Sequence, residues 1–283
     1  MLETLDAHQK PRRILIDCGM FQGEHLCANT NLDAFGFDAK AIDVAFVTHP
    51  HADHTGRLPK LIKDGYHGTI WMTQPCVTLS RIVLEDAFHV MKEESEKCGS
   101  SVLYEVEDLD QTFASVRGAS YHEEITIEPG ITAMFHEAGH VLGSAFISIE
   151  AEGKRIVFSG DIGNDDVPIL PDTEPISHAD VVVCESTYGN RAHEGKVERS
   201  KKLREAIVRT VKDKGVLMIP AFSIERTQEL LYEIDQILLH ELKTNIPIYL
   251  DSPMAIRATA AYREYQQYLE FNASILDQPD RYF

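Results

Sequence analysis

The segment Thr48-His49-Pro50-His51-Ala52-Asp53-His54 puts three of the chain's 13 histidines and an aspartate into positions 49–54. It follows Val44-Ala45-Phe46-Val47, an apolar run that reads as a buried strand. Residues two apart on extended backbone project to the same side, so His49 and His51 can reach one metal ion. Asp53 and His54 then turn the chain into a helix and can face a second ion beside the first. Neutral imidazole and carboxylate suit Zn²⁺, and a strand end followed by a loop leaves room for a metal-bound water. A solvated, histidine-rich turn is the plainer alternative, and a lone histidine would favour it. Four ligand-type side chains in this pattern favour the metal.

Three further polar residues are expected at strand ends, where a mixed β architecture gathers a site. Asp17 closes the strand Arg13–Ile16. His140 stands in Ala138-Gly139-His140-Val141-Leu142-Gly143-Ser144, between two predicted strands, with glycines that permit an unusual turn. Asp161 follows Ile156-Val157-Phe158-Ser159-Gly160. Each alone reads as a turn residue; together with the first cluster they supply ligands enough for two metals.

The elements that must hold these residues follow from periodicity. Strands are predicted at 13–17, 42–48 and 69–72, a helix at about 56–64 with Pro59 in its first turn, and a long helix at about 74–97. Residues 99–118 are ambiguous. Ile125–Phe135 and the pair Ala145–Glu150 and Arg155–Ser159 read as hairpin strands, the pair joined through Glu152-Gly153. Asp180–Cys184 reads as another buried strand. From there helix 197–213, strand 215–221, helix 224–242, strand 246–250 and helix 253–270 alternate, which implies a parallel sheet of βα units. A boundary is expected near Tyr188-Gly189-Asn190.

At 283 residues, 43% hydrophobic and 25% charged, the chain has a globular balance. No apolar run is long enough to span a membrane, so no membrane partner is expected. The five cysteines are scattered, which argues for reduced thiols and a cytoplasmic location. A net charge of −18 repels nucleic acid at long range, so a polyanionic substrate needs metal contacts or a local basic surface. Residues 191–214 offer one, with nine Lys/Arg against four Asp/Glu.

Ile16–Gly23, Thr48–Pro59, Ala138–Ser144 and Phe158–Gly163 resemble the first four motifs of metallo-β-lactamase-fold hydrolases. Glu185-Ser186-Thr187-Tyr188-Gly189, Ile219–Leu230 and Leu250–Ala255 resemble the β-CASP subgroup, which processes nucleic acids. The likeness is strongest to bacterial relatives of the endonuclease subunit of pre-mRNA 3′-end processing. It implies an α/β fold: an αββα metallo-β-lactamase sandwich over 1–189 lacking its first strands, then the start of an inserted Rossmann-like β-CASP domain over 190–283. It also implies that His49, His51 and His140 hold a first zinc, that Asp53 and His54 hold a second, and that Asp161 bridges both. Asp17 would orient a ligand histidine, and Glu185 would assist the leaving group. No residue is assigned to substrate binding, and His136, His178 and His193 are read as structural or solvent-exposed. Such proteins normally start with a further strand hairpin and continue past Phe283, where the partner histidine of Glu185 and a last zinc ligand lie. The chain is therefore expected to be truncated at both ends, with its second site one ligand short and its own activity in doubt.

The function expected is zinc-dependent hydrolysis of RNA phosphodiester bonds through a hydroxide held by two zinc ions, by an endo- or exonuclease, with a homodimer as the expected assembly. The alternatives are a DNA nuclease of the same fold, or an inactive fragment or scaffold subunit. Dedicated scaffolds lose metal ligands, and here every ligand expected within the span is present.

Overall fold

The structure, a computed structural model, describes residues 1–21, 30–99, 101–163, 167–190, 196–242 and 246–270. The chain divides into two compact units. The first comprises Met1–Ala138, Gly143–Ile162 and Thr173–Glu185. It is built on two five-stranded mixed sheets. One sheet runs in chain order through β1 (Leu2–Leu5), β2 (Pro11–Ile16), β3 (Val44–Phe46), β4 (Thr69–Thr73) and β5 (Val116–Ala119). The other is ordered β10-β9-β8-β7-β6, from β6 (Ile125–Glu128), β7 (Ile131–Glu137), β8 (Ala145–Ala151), β9 (Lys154–Phe158) and β10 (Val181–Val183).

The period-two alternation of the central strands sorts their side chains into two layers. Ile14, Val44 and Phe46 point to the second sheet and pack against Ile131, Ala133, Phe135, Ile147 and Ile149. Leu15, Ala45, Val47, Ile70 and Met72 point the other way, against Leu58, Leu61, Ile62 and Cys76. Those partners lie on α2 (Leu58–Lys63) and α3 (Gln74–Cys98), which follow the short α1 (Ala52–Thr55). Helix α3 starts where the Thr73 hydroxyl accepts from the Cys76 N–H and stops at Gly99, whose φ of +64° is the left-handed conformation glycine adopts most readily. The stretch 99–118, ambiguous in sequence, holds α4 (Val106–Ser115), opened by a Glu105/Asp108 capping box, and β5.

Several predicted elements differ. The helix predicted over 56–64 is α2, which begins two residues later with Pro59 in its first turn, and the separate short α1 precedes it, the chain turning at Gly56-Arg57 between them. Strand β10 is not buried: Val181, Val182 and Val183 are 48%, 47% and 52% exposed, since β10 is an edge strand paired only with β9. The thiols are not all reduced: Cys18, Cys76 and Cys184 are free, whereas Cys98 is disulfide-bonded.

The second unit comprises Gly139–Leu142, Gly163–Asp172 and Ser186–Phe283. It carries α5 (Lys196–Asp213), α6 (Arg226–Gln236), which continues as a π-helical turn over Ile237–Leu242, and α7 (Pro253–Glu264). Ile207, Ile237 and Leu238 form the centre of one of its apolar clusters. The Tyr262 hydroxyl donates a short hydrogen bond to Glu225 and accepts the Leu142 N–H. The expected helices are present, but the strands at 215–221 and 246–250 are not formed among the described residues. Val216 and Met218 are 89% and 85% exposed. An extended apolar segment becomes a strand only with a neighbour to complete its ladder, and none is described beside this one. Among the described residues, no helix is long and apolar enough to cross a membrane.

Candidate metal centre

The centre of the first unit is gathered by loops at the ends of β2, β3 and β9, and Thr48 is its hub. Thr48 is buried, and its carbonyl accepts the Ala145 N–H at 2.7 Å, tying the end of β3 to the start of β8 in the other sheet. Its backbone N–H donates to Asp17 Oδ1 and its hydroxyl to Asp17 Oδ2, both at 2.8 Å. The hydroxyl proton is thereby committed to Asp17, so Oγ1 is left to accept Nδ1–H of His49 at 3.1 Å. Asp17 Oδ2 also lies 2.8 Å from Nδ1 of His54. Each ring thus presents Nδ1–H to its partner, and in the neutral ring Nε2 is the nitrogen turned toward a cation.

The two Nε2 atoms converge on Asp161, that of His54 at 3.3 Å from Oδ1 and that of His49 at 3.8 Å from Oδ2. The ligand atoms of His49, His54 and Asp161 all lie within 4.8 Å of one another. The His51 ring stands edge-on to that of His49, with centroids 4.9 Å apart. Asp161 reaches the site from a turn after β9 in which Gly160 adopts a φ of +55°, and a Cβ there would come within 2.6 Å of Thr48 Cβ. Only glycine meets both conditions.

Glu185 braces the same turn. Its backbone N–H donates to Ser159 Oγ at 3.0 Å, and its Oε1 accepts the Ile162 N–H at 2.8 Å, one residue past Asp161. Asp53 is exposed in the first turn of α1 and is not among the ligand atoms gathered with His49, His54 and Asp161. His140 lies on the β7–β8 connection, in Gly139–Leu142, which clusters with the second unit. His178 is exposed near Asp180, His136 is buried, and His193 lies outside the described residues.

The donor set fits a hard-to-borderline divalent cation. Burial pulls the His54 pKa down, but the hydrogen bonds and charges of Asp161 and Asp17 outweigh it and push the value up to about 10. Two carboxylates that hold a proton so firmly make a pocket of negative potential, as a cation site requires. Sequence reading missed Thr48, because a threonine beside a histidine carries no ligand signal; only folding reveals that it touches Asp17, His49 and His54. Asp17→Asn keeps the side chain's size but places an amide against Thr48 and His54. It is expected to weaken metal binding by about tenfold to a hundredfold, the usual effect of a lost outer-sphere partner. Competition of the variant against a metal chelator measures this, and unchanged affinity would remove Asp17 from the centre.

Residues 10–214 match the family described as the Metallo-beta-lactamase superfamily, and residues 227–280 match the Beta-Casp domain. The chain is 40% identical over 257 residues to Ribonuclease TTHA0252 of Thermus thermophilus, covering 91% of this chain and 57% of that protein. It is 32% identical over 274 residues to an RNase J-like protein of Methanocaldococcus jannaschii, covering 95% and 59%. It is also 32% identical over 267 residues to Cleavage and polyadenylation specificity factor 73 of Drosophila melanogaster, covering 90% and 37%. The chain thus spans about three fifths or less of the curated relatives it matches.

Proposed function

Because the chain belongs to the metallo-beta-lactamase superfamily and carries a Beta-Casp domain, we propose that it serves a zinc-dependent ribonuclease that hydrolyses phosphodiester bonds. The observation that carries this reading is the orientation of the His49 and His54 Nε2 atoms toward Asp161 through Asp17 and Thr48. The ribonuclease names of its relatives favour RNA as the substrate.

In this reading His49, His51 and His140 hold one ion, Asp53 and His54 a second, and Asp161 both. His140 is included because it lies on the connection between β7 and β8, strands of the sheet whose β9 runs into the Asp161 turn. Two zinc ions, when bound, lower the pKa of a coordinated water and offset charge developing at phosphorus. The chain's residues do the rest. Asp17 and Thr48 fix the two imidazoles before substrate arrives, so no reorganisation is needed during reaction. Glu185 holds the Asp161 turn through Ile162 and, from the rim of the site, assists departure of the leaving-group oxygen.

The basic helix α5 offers a surface for the phosphate backbone despite the net charge of −18. We assign residues 1–189 to the metallo-β-lactamase part and 190–283 to the start of the β-CASP part. Support comes from the clustering that ends the first unit at Glu185. We place the protein in the cytoplasm from the scattered spacing of its five cysteines, of which Cys18, Cys76 and Cys184 are free although Cys98 is disulfide-bonded. A homodimer is proposed from exposed apolar side chains such as Val216, Met218 and Phe222.

The test uses the protein in its complete reading frame, with zinc, on RNA and DNA oligonucleotides of matched sequence. RNA is expected to be cut at least about tenfold faster than DNA, and a chelator to stop the cutting. Equal or faster cutting of DNA, or no cutting of either, would overturn the assignment.

A further inference from the structure

A second group of ligand-type side chains shares no residue with the first. His122, on the β5–β6 connection, His136, the penultimate residue of β7, and Glu174 bring their ligand atoms within 4.8 Å of one another. All three belong to the first unit. His122 Nε2 lies 3.0 Å from Glu174 Oε1, and His136 Nδ1 lies 3.6 Å from Glu174 Oε2. The two rings are edge to face, with centroids 5.5 Å apart. Zinc bonds of about 2.0–2.2 Å in a tetrahedron separate ligand atoms by about 3.3–3.5 Å, so these spacings need only small side-chain adjustments.

The surroundings prepare the group. His136 stacks on Phe146 at 4.6 Å with the ring planes 9° apart, which fixes its orientation. Its Nε2 lies 2.9 Å from Ser148 Oγ, which also accepts from Arg155 at 3.4 Å. With the proton on Nε2 and donated to Ser148, the Nδ1 lone pair faces Glu174. This is the outer-sphere hydrogen bond that ligating histidines commonly make through their second nitrogen. Glu174 is held against the end of β7 by its backbone N–H, which donates to the Glu137 carbonyl at 3.0 Å. The neighbouring Thr173 hydroxyl donates to the Ala138 carbonyl at 2.7 Å. His122 takes a φ of +62°, uncommon for a residue with a Cβ, and its N–H donates to the Phe135 carbonyl at 2.9 Å. Arg155 is the nearby cation, 3.4 Å from His136 Nε2, and its charge is shared with Glu150 at 3.6 Å.

We propose that His122, His136 and Glu174 form a peripheral binding site for a divalent transition-metal ion of the zinc class. Two neutral imidazoles and one carboxylate are a three-ligand set that zinc accepts, with a fourth position left for water. His122 is the solvent-facing ligand, and it binds in the tautomer that carries its proton on Nδ1. The ion would pin the β5–β6 connection and the Glu174 segment to His136 near the end of β7.

The probe is Zn²⁺ alone, titrated calorimetrically into protein carrying His49→Ala and Asp161→Ala, which removes the first centre from the count. One zinc per chain is expected to bind. Adding His122→Ala, or separately Glu174→Gln, is expected to weaken that binding at least tenfold, with the circular dichroism unchanged. If the double variant fails to fold, the same titration is made on the otherwise unaltered protein. There His122→Ala should lower the zinc stoichiometry by one per chain. Absence of zinc binding in a folded double variant, or binding indifferent to both His122→Ala and Glu174→Gln, would overturn the site. Because the readout is binding, failure here is distinct from failure to cut RNA.

Discussion

On the proposed function, His49→Ala in the complete reading frame is expected to lower zinc-dependent RNA cleavage by more than about a hundredfold, exceeding the loss typical of an outer-sphere substitution. His49 is fully buried, takes its tautomer from Thr48, and directs Nε2 toward Asp161. Alanine removes that nitrogen and leaves Thr48 Oγ1 without the Nδ1–H it accepts. No neighbouring side chain replaces it, because His54 is already committed to Asp17 through its own Nδ1. The variant should remain folded, since the strand that precedes it is anchored by Val44, Ala45, Phe46 and Val47, all buried. Initial rates at fixed zinc, with circular dichroism as control, make the measurement. A folded variant that cuts RNA at a rate near the unaltered protein's would show that the chemistry lies elsewhere.

The largest expected loss of stability is at Phe135→Ala. Phe135 and Phe46 are fully buried on facing sheets, with ring centroids 5.8 Å apart. Phe135 sits on β7 between Ala133 and Glu137, so its ring enters the layer lined by Ile14, Val44, Ile147 and Ile149. Alanine leaves a cavity between two sheets whose strands are fixed by their ladders and cannot collapse into it. The cost for such a change is about 3–5 kcal/mol. Urea unfolding should show a lower midpoint with an unchanged slope. A loss below about 1 kcal/mol would mean that the two sheets are not packed through this pair.

Much of the centre was legible because metal chemistry concentrates ligand types in short segments. The 49–54 cluster declares itself through spacing, and Asp161 and Asp17 through their places after apolar strands. The roles of Thr48 and Ser159 were not legible, since a hydroxyl is defined by what it touches across the fold. His136 illustrates the same limit: its meaning depends on His122 and Glu174, 14 and 38 residues away in sequence. Strands failed where composition was read without a partner. Val181–Val183 has the sequence of a buried strand and lies at an edge, and residues 215–221 have the sequence of a strand without a described neighbour. The capping box at Glu105/Asp108 could have located α4; its acidic N-cap is less familiar than a serine or threonine.

Elemental analysis of folded protein carrying His122→Ala, purified without chelator, tests the metal centre most directly, because that substitution keeps the peripheral site out of the count. At least one tightly held zinc per chain is expected, lost when His49→Ala and Asp161→Ala are added. Well-folded protein that contains no zinc and takes none up would contradict the assignment of His49, His54 and Asp161 as a metal centre.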